Sequence, residues 1–324
     1  MYYINAIASI THQDTFDKKG FSNDLKTLTY ESELISPVYK EYIAPKLLRR
    51  MSKILRMSVT CSLNCLKQAG DVELDAIIVG TGLGCLTDTQ KFLENYITIE
   101  GLLPPTSFIQ STHNTIAGQI SLTLGNKNYN ITHTQSTVSF ELALQDAMIC
   151  LDEGMKNVLV GVADEEIPFL SEALKGLGIA DLNLTTGVTF FVLSKEKTTA
   201  TLAEITSCES VFNAHDSTSF LTQFLQNTKT EITAIDQVYS SQPFNNLINR
   251  SSLNIENIDQ VDITSFAGAY PTNSAFGLHL AVDTMRKGVN KSALVVNNLS
   301  KKNLGVTFLK AVRLYTKLYF SYRN

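Results

Sequence analysis

The sequence holds no apolar run approaching the ~20 residues a helix needs to cross a bilayer. Its opening, MYYINAIASITHQD, lacks the basic segment and long apolar stretch of a signal peptide. A cytoplasmic protein without membrane insertion is expected. An excess of positive charge is also missing: the formal net charge is −4 and the pI about 5.8. That argues against nucleic acid as a partner. Cysteine is sparse and odd in number, at Cys61, Cys65, Cys85, Cys150 and Cys208. Buried free thiols, rather than a disulfide framework, are expected at this chain length. Neither a second cysteine pair nor a histidine pair stands at ligand spacing, and no metal is expected.

Gly80 to Gly84 read GTGLG after a strand. The glycine that would complete a dinucleotide fingerprint is replaced by Cys85, and no ribose-binding acid follows, so no cofactor is expected. A tight turn where backbone passes close by is the role this run fits.

What the chain does have is 324 residues that are 44% hydrophobic, enough for a large core. YYINAIASI reads as a strand, followed by a mixed polar stretch from Thr11 to Tyr42. From Pro45, apolar residues recur at three and four spacings through Leu48, Met51, Ile54, Leu55, Val59 and Leu63, with Gly70 beyond the end. That pattern predicts one long amphipathic helix. AIIVGTG, TLAEITSCES and SALVVNN read as strands. Strands alternating with helices predict an α/β layered fold with partly parallel sheets.

The segment from Asn130 to Glu165 reads as strand, abrupt turn, helix and strand, and it has a partner near the C-terminus. Superposing Gly154 on Gly288 brings Leu144 onto Leu278, Ala147 onto Ala281, Met148 onto Val282 and Leu151 onto Met285. These form one buried stripe at helical spacing. Each helix stops at its glycine. An apolar strand follows each, and each unit closes with a similar strand, GVTFFVL and GVTFLKA. The chain therefore reads as a duplicated α/β unit, divided at residues 1–200 and 201–324. In this superposition Thr137 and Pro271 are equivalent, each opening the helix its half buries.

The segments RRMSKILRMSVTCSLNCLKQAG, LDAIIVGTGLGCLTDTQKFLEN, PPTSFIQSTHNTIAGQISLTLGNKNYNITHTQS and AFGLHLAVDTMRKG, in this order, resemble the β-ketoacyl synthases. The resemblance covers most of the chain and includes Asn114, Ala117 and Gly118. It implies a thiolase-like fold: α/β, duplicated βαβαβ halves, layered αβαβα. In that family a cysteine opens the first buried helix. The helix N-terminus favours its thiolate and stabilises the oxyanion on the acyl thioester. Two histidines and a lysine support decarboxylation and condensation. Carried over, the cysteine position falls on Thr137, with Gln135 reached only by a slip of two residues. The first histidine falls on Ser241 or Gln242, the lysine on Phe266, and the second histidine on Pro271. The family's glycine-rich loop after VVNN reads LSKKNLG.

The resemblance thus implies a ketosynthase scaffold from which the reactive groups are missing together. A partner subunit like a chain-length factor is expected, forming a heterodimer with a catalytic ketosynthase in polyketide, aryl-polyene or fatty-acid-type elongation. The strand NYNITHT is where such proteins pair, and acyl carrier protein is the implied second partner. The alternative is a thiolase-fold acyltransferase or hydrolase using Thr137 or Ser139 with His133 as base. Lys46, Arg49, Arg50, Lys53 and Arg56 fall near one face of the predicted helix, either a carrier-protein surface or a solvated basic face. FLSEALKGLGIADLNLTT lengthens the first half as a tunnel cover, a subunit contact or a surface excursion. The tail RLYTKLYFSYRN is read as a docked strand or a partner contact.

Overall fold

The computed structural model describes residues 1–178, 183–244, 258–288, 290–300 and 302–312. The tail read above and Lys301 lie outside the described residues, as do positions 179–182 of the first half's added segment.

The first half runs β1 (Tyr2–Ile10), α1 (Pro45–Leu48), α2 (Lys53–Gln68), β2 (Ala76–Gly80), α3 (Leu86–Thr98), α4 (Pro105–Ser111), α5 (Thr115–Leu124), β3 (Tyr129–His133), α6 (Ser139–Asp152), β4 (Val158–Asp164), α7 (Pro168–Gly176) and β5 (Gly187–Ser194). The second runs β6 (Ala203–Val211), α8 (Ser217–Asn227), β7 (Gln237–Ser240), β8 (Asp259–Asp262), α9 (Thr264–Ala267), α10 (Ser274–Met285), β9 (Ser292–Asn297) and β10 (Leu304–Ala311).

The strands order as β3-β2-β4-β5-β1-β6-β10-β9-β7-β8. Reading outward from the β1–β6 seam gives the same sequence of roles on both sides. β2 lies parallel to β3 and β4, as β7 lies parallel to β8 and β9. The closing strands β5 and β10 run antiparallel to their neighbours. Each half carries the expected βαβ alternation, extended by the strand preceding its closing antiparallel strand. Within the sheet the two halves meet where Tyr2, Tyr3 and Ile4 pair with Ile205, Glu204 and Ala203.

Side-chain alternation along the strands builds the layers. Val158, Val160 and Val162 of β4 face α6 and α10, while Leu159 and Ala163 face α2 and α5. In β9, Ala293 and Val295 face the central helices, while Leu294 and Val296 face α8. Outer helices, half-sheet, central helix pair, half-sheet and outer helix make five layers around three apolar clusters. Strands buried on both faces read as continuous apolar runs, which explains AIIVG and SALVVN. All five cysteines are buried free thiols. Among the described residues no helix is long and apolar enough to cross a membrane.

One expected helix is two. The Pro45–Gly70 pattern breaks after Leu48, because Ser52 is extended (φ −66°, ψ 170°) and α2 starts anew at Lys53. Arg56 explains the break: its Nε donates to the carbonyls of Leu48, at 3.1 Å, and Met51, at 2.9 Å. A continuous helix would have used those acceptors internally. Arg56 therefore leaves the basic face, whereas Lys46, Arg49, Arg50 and Lys53 stay exposed.

The stripe of α6 and α10 is the molecule's central packing. Leu144 and Leu278 are both fully buried within one cluster. Leu144→Ala and Leu278→Ala are each expected to destabilise the protein by about 2–5 kcal/mol, read from urea unfolding midpoints at constant m-value.

Candidate functional site at the tips of the central helices

The first turn of α6, the approach to α10, the glycine turn after β2 and the ends of β4, β7 and β9 converge. These are carboxyl ends of parallel strands, where open α/β sheets place their sites.

At the α6 tip the backbone turns at Ser136, a non-glycine residue at φ 54°. Thr137 follows. Its side-chain oxygen is buried and has no hydrogen-bond partner. The Ser139 hydroxyl donates to two backbone carbonyls, Thr81 at 3.0 Å and Ser136 at 2.8 Å. His133 Nε2 lies 2.9 Å from Asp146 Oδ2. No bond joins His133 to Thr137 or Ser139, so the base–nucleophile pair considered above is not formed. A hydroxyl without a base is a poor nucleophile.

The glycine turn presses against both helix tips. A Cβ on Gly82 would overlap Pro271 and the carbonyl of Ser136, and one on Gly80 would overlap the Ser139 carbonyl. This close approach is the turn's role. Asp164, at the end of β4, is fully buried and ties the turn to the second half. Its Oδ1 accepts from Thr81 Oγ1 (2.8 Å), Gly82 N (2.9 Å) and Leu83 N (2.8 Å). Its Oδ2 accepts from Thr272 Oγ1 (2.7 Å) and Thr272 N (3.2 Å). Burial pushes its carboxyl above the usual carboxylate range, against the pull of these donors.

The remaining positions are occupied by groups bonded to one another. Ser241, fully buried after β7, donates through Oγ to Asn273 Oδ1 at 2.7 Å, and Asn273 Nδ2 donates to the Gly268 carbonyl at 3.0 Å. The Gln242 amide donates to Asn298 Oδ1 at 2.8 Å. Phe266, on α9, packs against the central cluster. Pro271 offers neither a side-chain nor a backbone donor.

A second titratable group faces inward here, and like Asp164 it is absent from the residues that the sequence pattern singled out. Glu141, 1% exposed, accepts from Ser274 Oγ at 2.6 Å and Asn297 Nδ2 at 3.1 Å. Asn297 Nδ2 also donates to the Thr137 carbonyl. Burial raises the Glu141 carboxyl to about 7, while Ser274 and Asn297 pull it down. The sequence carried a signal: stepping back three from Leu144 along the buried stripe lands on a glutamate. Asp164 had a similar one, as an acid closing the apolar strand VLVGVAD.

A sequence profile of the β-ketoacyl synthase N-terminal domain matches residues 29–242, more than half of the chain. The chain belongs to the β-ketoacyl synthase family. A comparison with curated protein sequences gives no match. Solved structures share the thiolase-like fold at low identity. The ishigamide ketosynthase/chain length factor aligns at TM-score 0.76 and 15% identity, covering 96% of this chain and 99% of that one. A type II polyketide synthase acyl carrier protein in complex with its ketosynthase bound to the hexaketide, AntDE:AntF, gives 0.74 and 14%, covering 96% and 99%. The ketosynthase ApeO in complex with its chain length factor ApeC, from Xenorhabdus doucetiae, gives 0.60 and 14%, covering 95% and 98%.

Glu141 also sets a pH dependence. Its ordinary value is 4.5 and its folded value about 7. Between those limits the folded state holds a proton the unfolded chain has lost, so stability falls as pH rises. Glu141→Gln is expected to remove that component, on the order of 3 kcal/mol across the window. Unfolding free energies from pH 4 to 8 should show a flatter profile for the variant. Asp164→Ala strands buried donors from both halves and is expected to cost at least about 3 kcal/mol, measured the same way at pH 7.

Proposed function

We propose that the chain is a non-catalytic ketosynthase homologue, a partner subunit of the chain-length-factor type. It pairs with an active ketosynthase that extends a polyketide, aryl-polyene or fatty-acid-type chain. The observation that carries this reading is the content of the helix tips. Thr137, Ser241, Phe266 and Pro271 stand where the family resemblance puts a thiol, two imidazoles and an ammonium. Nothing among them generates a thiolate or stabilises the enolate that decarboxylation leaves. The polar groups nearby are buried and bonded to each other rather than presented to a substrate.

The edge of the first half-sheet supports a pairing role. β3 is an outermost strand with one side unpaired. An open edge is a ready template for another chain. Flanking helices expose apolar side chains there: Leu122 of α5 at 79% and Ile149 of α6 at 55%. Tyr129 of β3 is exposed at its start. Acyl carrier protein is the second proposed partner. Ala44, Pro45, Lys46, Arg49 and Arg50 line an open groove of about 540 Å3, and its three cations make no ion pair among the described residues. Such a surface steers an acidic protein and loses its pull with salt.

The purified chain alone is expected to show no condensation of malonyl-carrier substrate. Coexpression with an active ketosynthase that carries the cysteine and both histidines is expected to give mixed-chain dimers on native mass spectrometry. Leu122→Arg with Ile149→Arg is expected to return the chain to monomer. Condensing activity by the lone protein would refute the reading. Same-chain dimers that persist beside the ketosynthase would point instead to a homodimeric acyl-binding protein.

A further inference from the structure

The seam between the halves opens into a cavity of about 720 Å3, at the opposite end of α10 from the tips described above. Because β1 and β6 pair over so few residues, β1 from Asn5 onward has no partner on that side. Ile7, Leu202, Val282 and Met285 give the cavity apolar walls. Its size falls in the range of small-molecule sites, which favour junctions between units.

Two polar features are built into it. At the rim, Lys19, Arg286 and Lys291 are exposed and make no ion pair among the described residues. Of the other charges on the lining, Asp17 is an exposed carboxylate, and Lys18 and Asp283 are engaged. Lys18 bridges Asp14 and Asp24, each at 3.0 Å. The Asp283 carboxylate accepts from Gly20 N (2.7 Å), Ser22 N (3.0 Å) and Ser22 Oγ (2.6 Å). Deeper in, His279 lines the cavity while only 8% exposed. Its Nδ1 lies 2.7 Å from Ser9 Oγ, which is 2.9 Å from Thr189 Oγ1. Phe21 packs on the ring with centroids 4.7 Å apart. Nε2 has no partner. Burial pushes the imidazole down to about 4, so it is neutral at ordinary pH.

We propose that this cavity binds a hydroxylated alkyl carboxylate. The carboxylate meets Arg286 with Lys19 and Lys291, the alkyl stem lies along Ile7, Leu202, Val282 and Met285, and a hydroxyl reaches His279 Nε2. A hydroxyl both donates and accepts, so it satisfies either tautomer of a neutral imidazole. A ligand hydroxyl seated in the cavity can pair with that ring nitrogen directly. The guanidinium at the rim favours a planar carboxylate.

The test is calorimetric titration of the full chain with ω-hydroxy alkanoates of roughly six to ten carbons, a length suited to a cavity of this class. The matched diols lack the charge, and the matched plain alkanoates lack the hydroxyl. Saturable binding of the hydroxy acids is expected. The diols and the plain alkanoates should each bind at least several-fold more weakly. Arg286→Glu and Ala200→Trp change exposed positions on the cavity lining, and each is expected to weaken binding tenfold or more. His279→Phe, if folded, should erase the preference for the hydroxyl. No binding up to millimolar hydroxy acid overturns the proposal, as do equal affinity for the diols or unchanged binding in the two exposed-site variants. These measurements use neither a ketosynthase nor a carrier protein, so their outcome is independent of the pairing role.

Discussion

Asp164 lies without exposed surface at the end of β4 and gathers donors from both halves: the glycine turn after β2 on one side and Thr272 before α10 on the other. A buried carboxylate is stable only when its oxygens are satisfied. Satisfying this one fixes the turn, the entry to α10 and the spacing between the two central helix tips. The turn in turn needs glycine at 80 and 82, because the backbone of α6 and the ring of Pro271 fill the space a side chain would take. The geometry of the site therefore rests on one acid and the small residues around it.

Around that frame the polar groups at the helix tips bond within the protein. Ser241 bonds Asn273, Asn273 bonds the Gly268 carbonyl, and Glu141 is held by Ser274 and Asn297. A catalytic site keeps lone pairs and protons available for a substrate. Here most of them are spent internally, and Thr137 is left with a buried hydroxyl that nothing activates. These internal bonds keep the helix tips packed.

Two further surfaces divide along the sheet. The first half ends in an open strand edge with exposed apolar neighbours, suited to another protein. The seam between halves ends in a pocket with a cationic rim and a neutral imidazole inside, suited to a small molecule. Neither touches the Asp164 frame, so both can be occupied without disturbing it.

The sequence by itself determined the duplication, the strand types and the buried stripe, because these depend on local periodicity. Strands buried on both faces must be continuously apolar, and a helix between two sheets must repeat apolar residues every three or four positions. Only the tertiary structure decided where polar groups find partners. The break before α2 depends on Arg56 reaching back to two carbonyls, which no periodicity records. The link from Asp164 to Thr272 spans 108 residues, and that from Glu141 to Asn297 spans 156. Hydrogen bonds between groups so far apart in the chain are set by how the layers stack, so the residues that hold this site together became visible only once the halves had closed on each other.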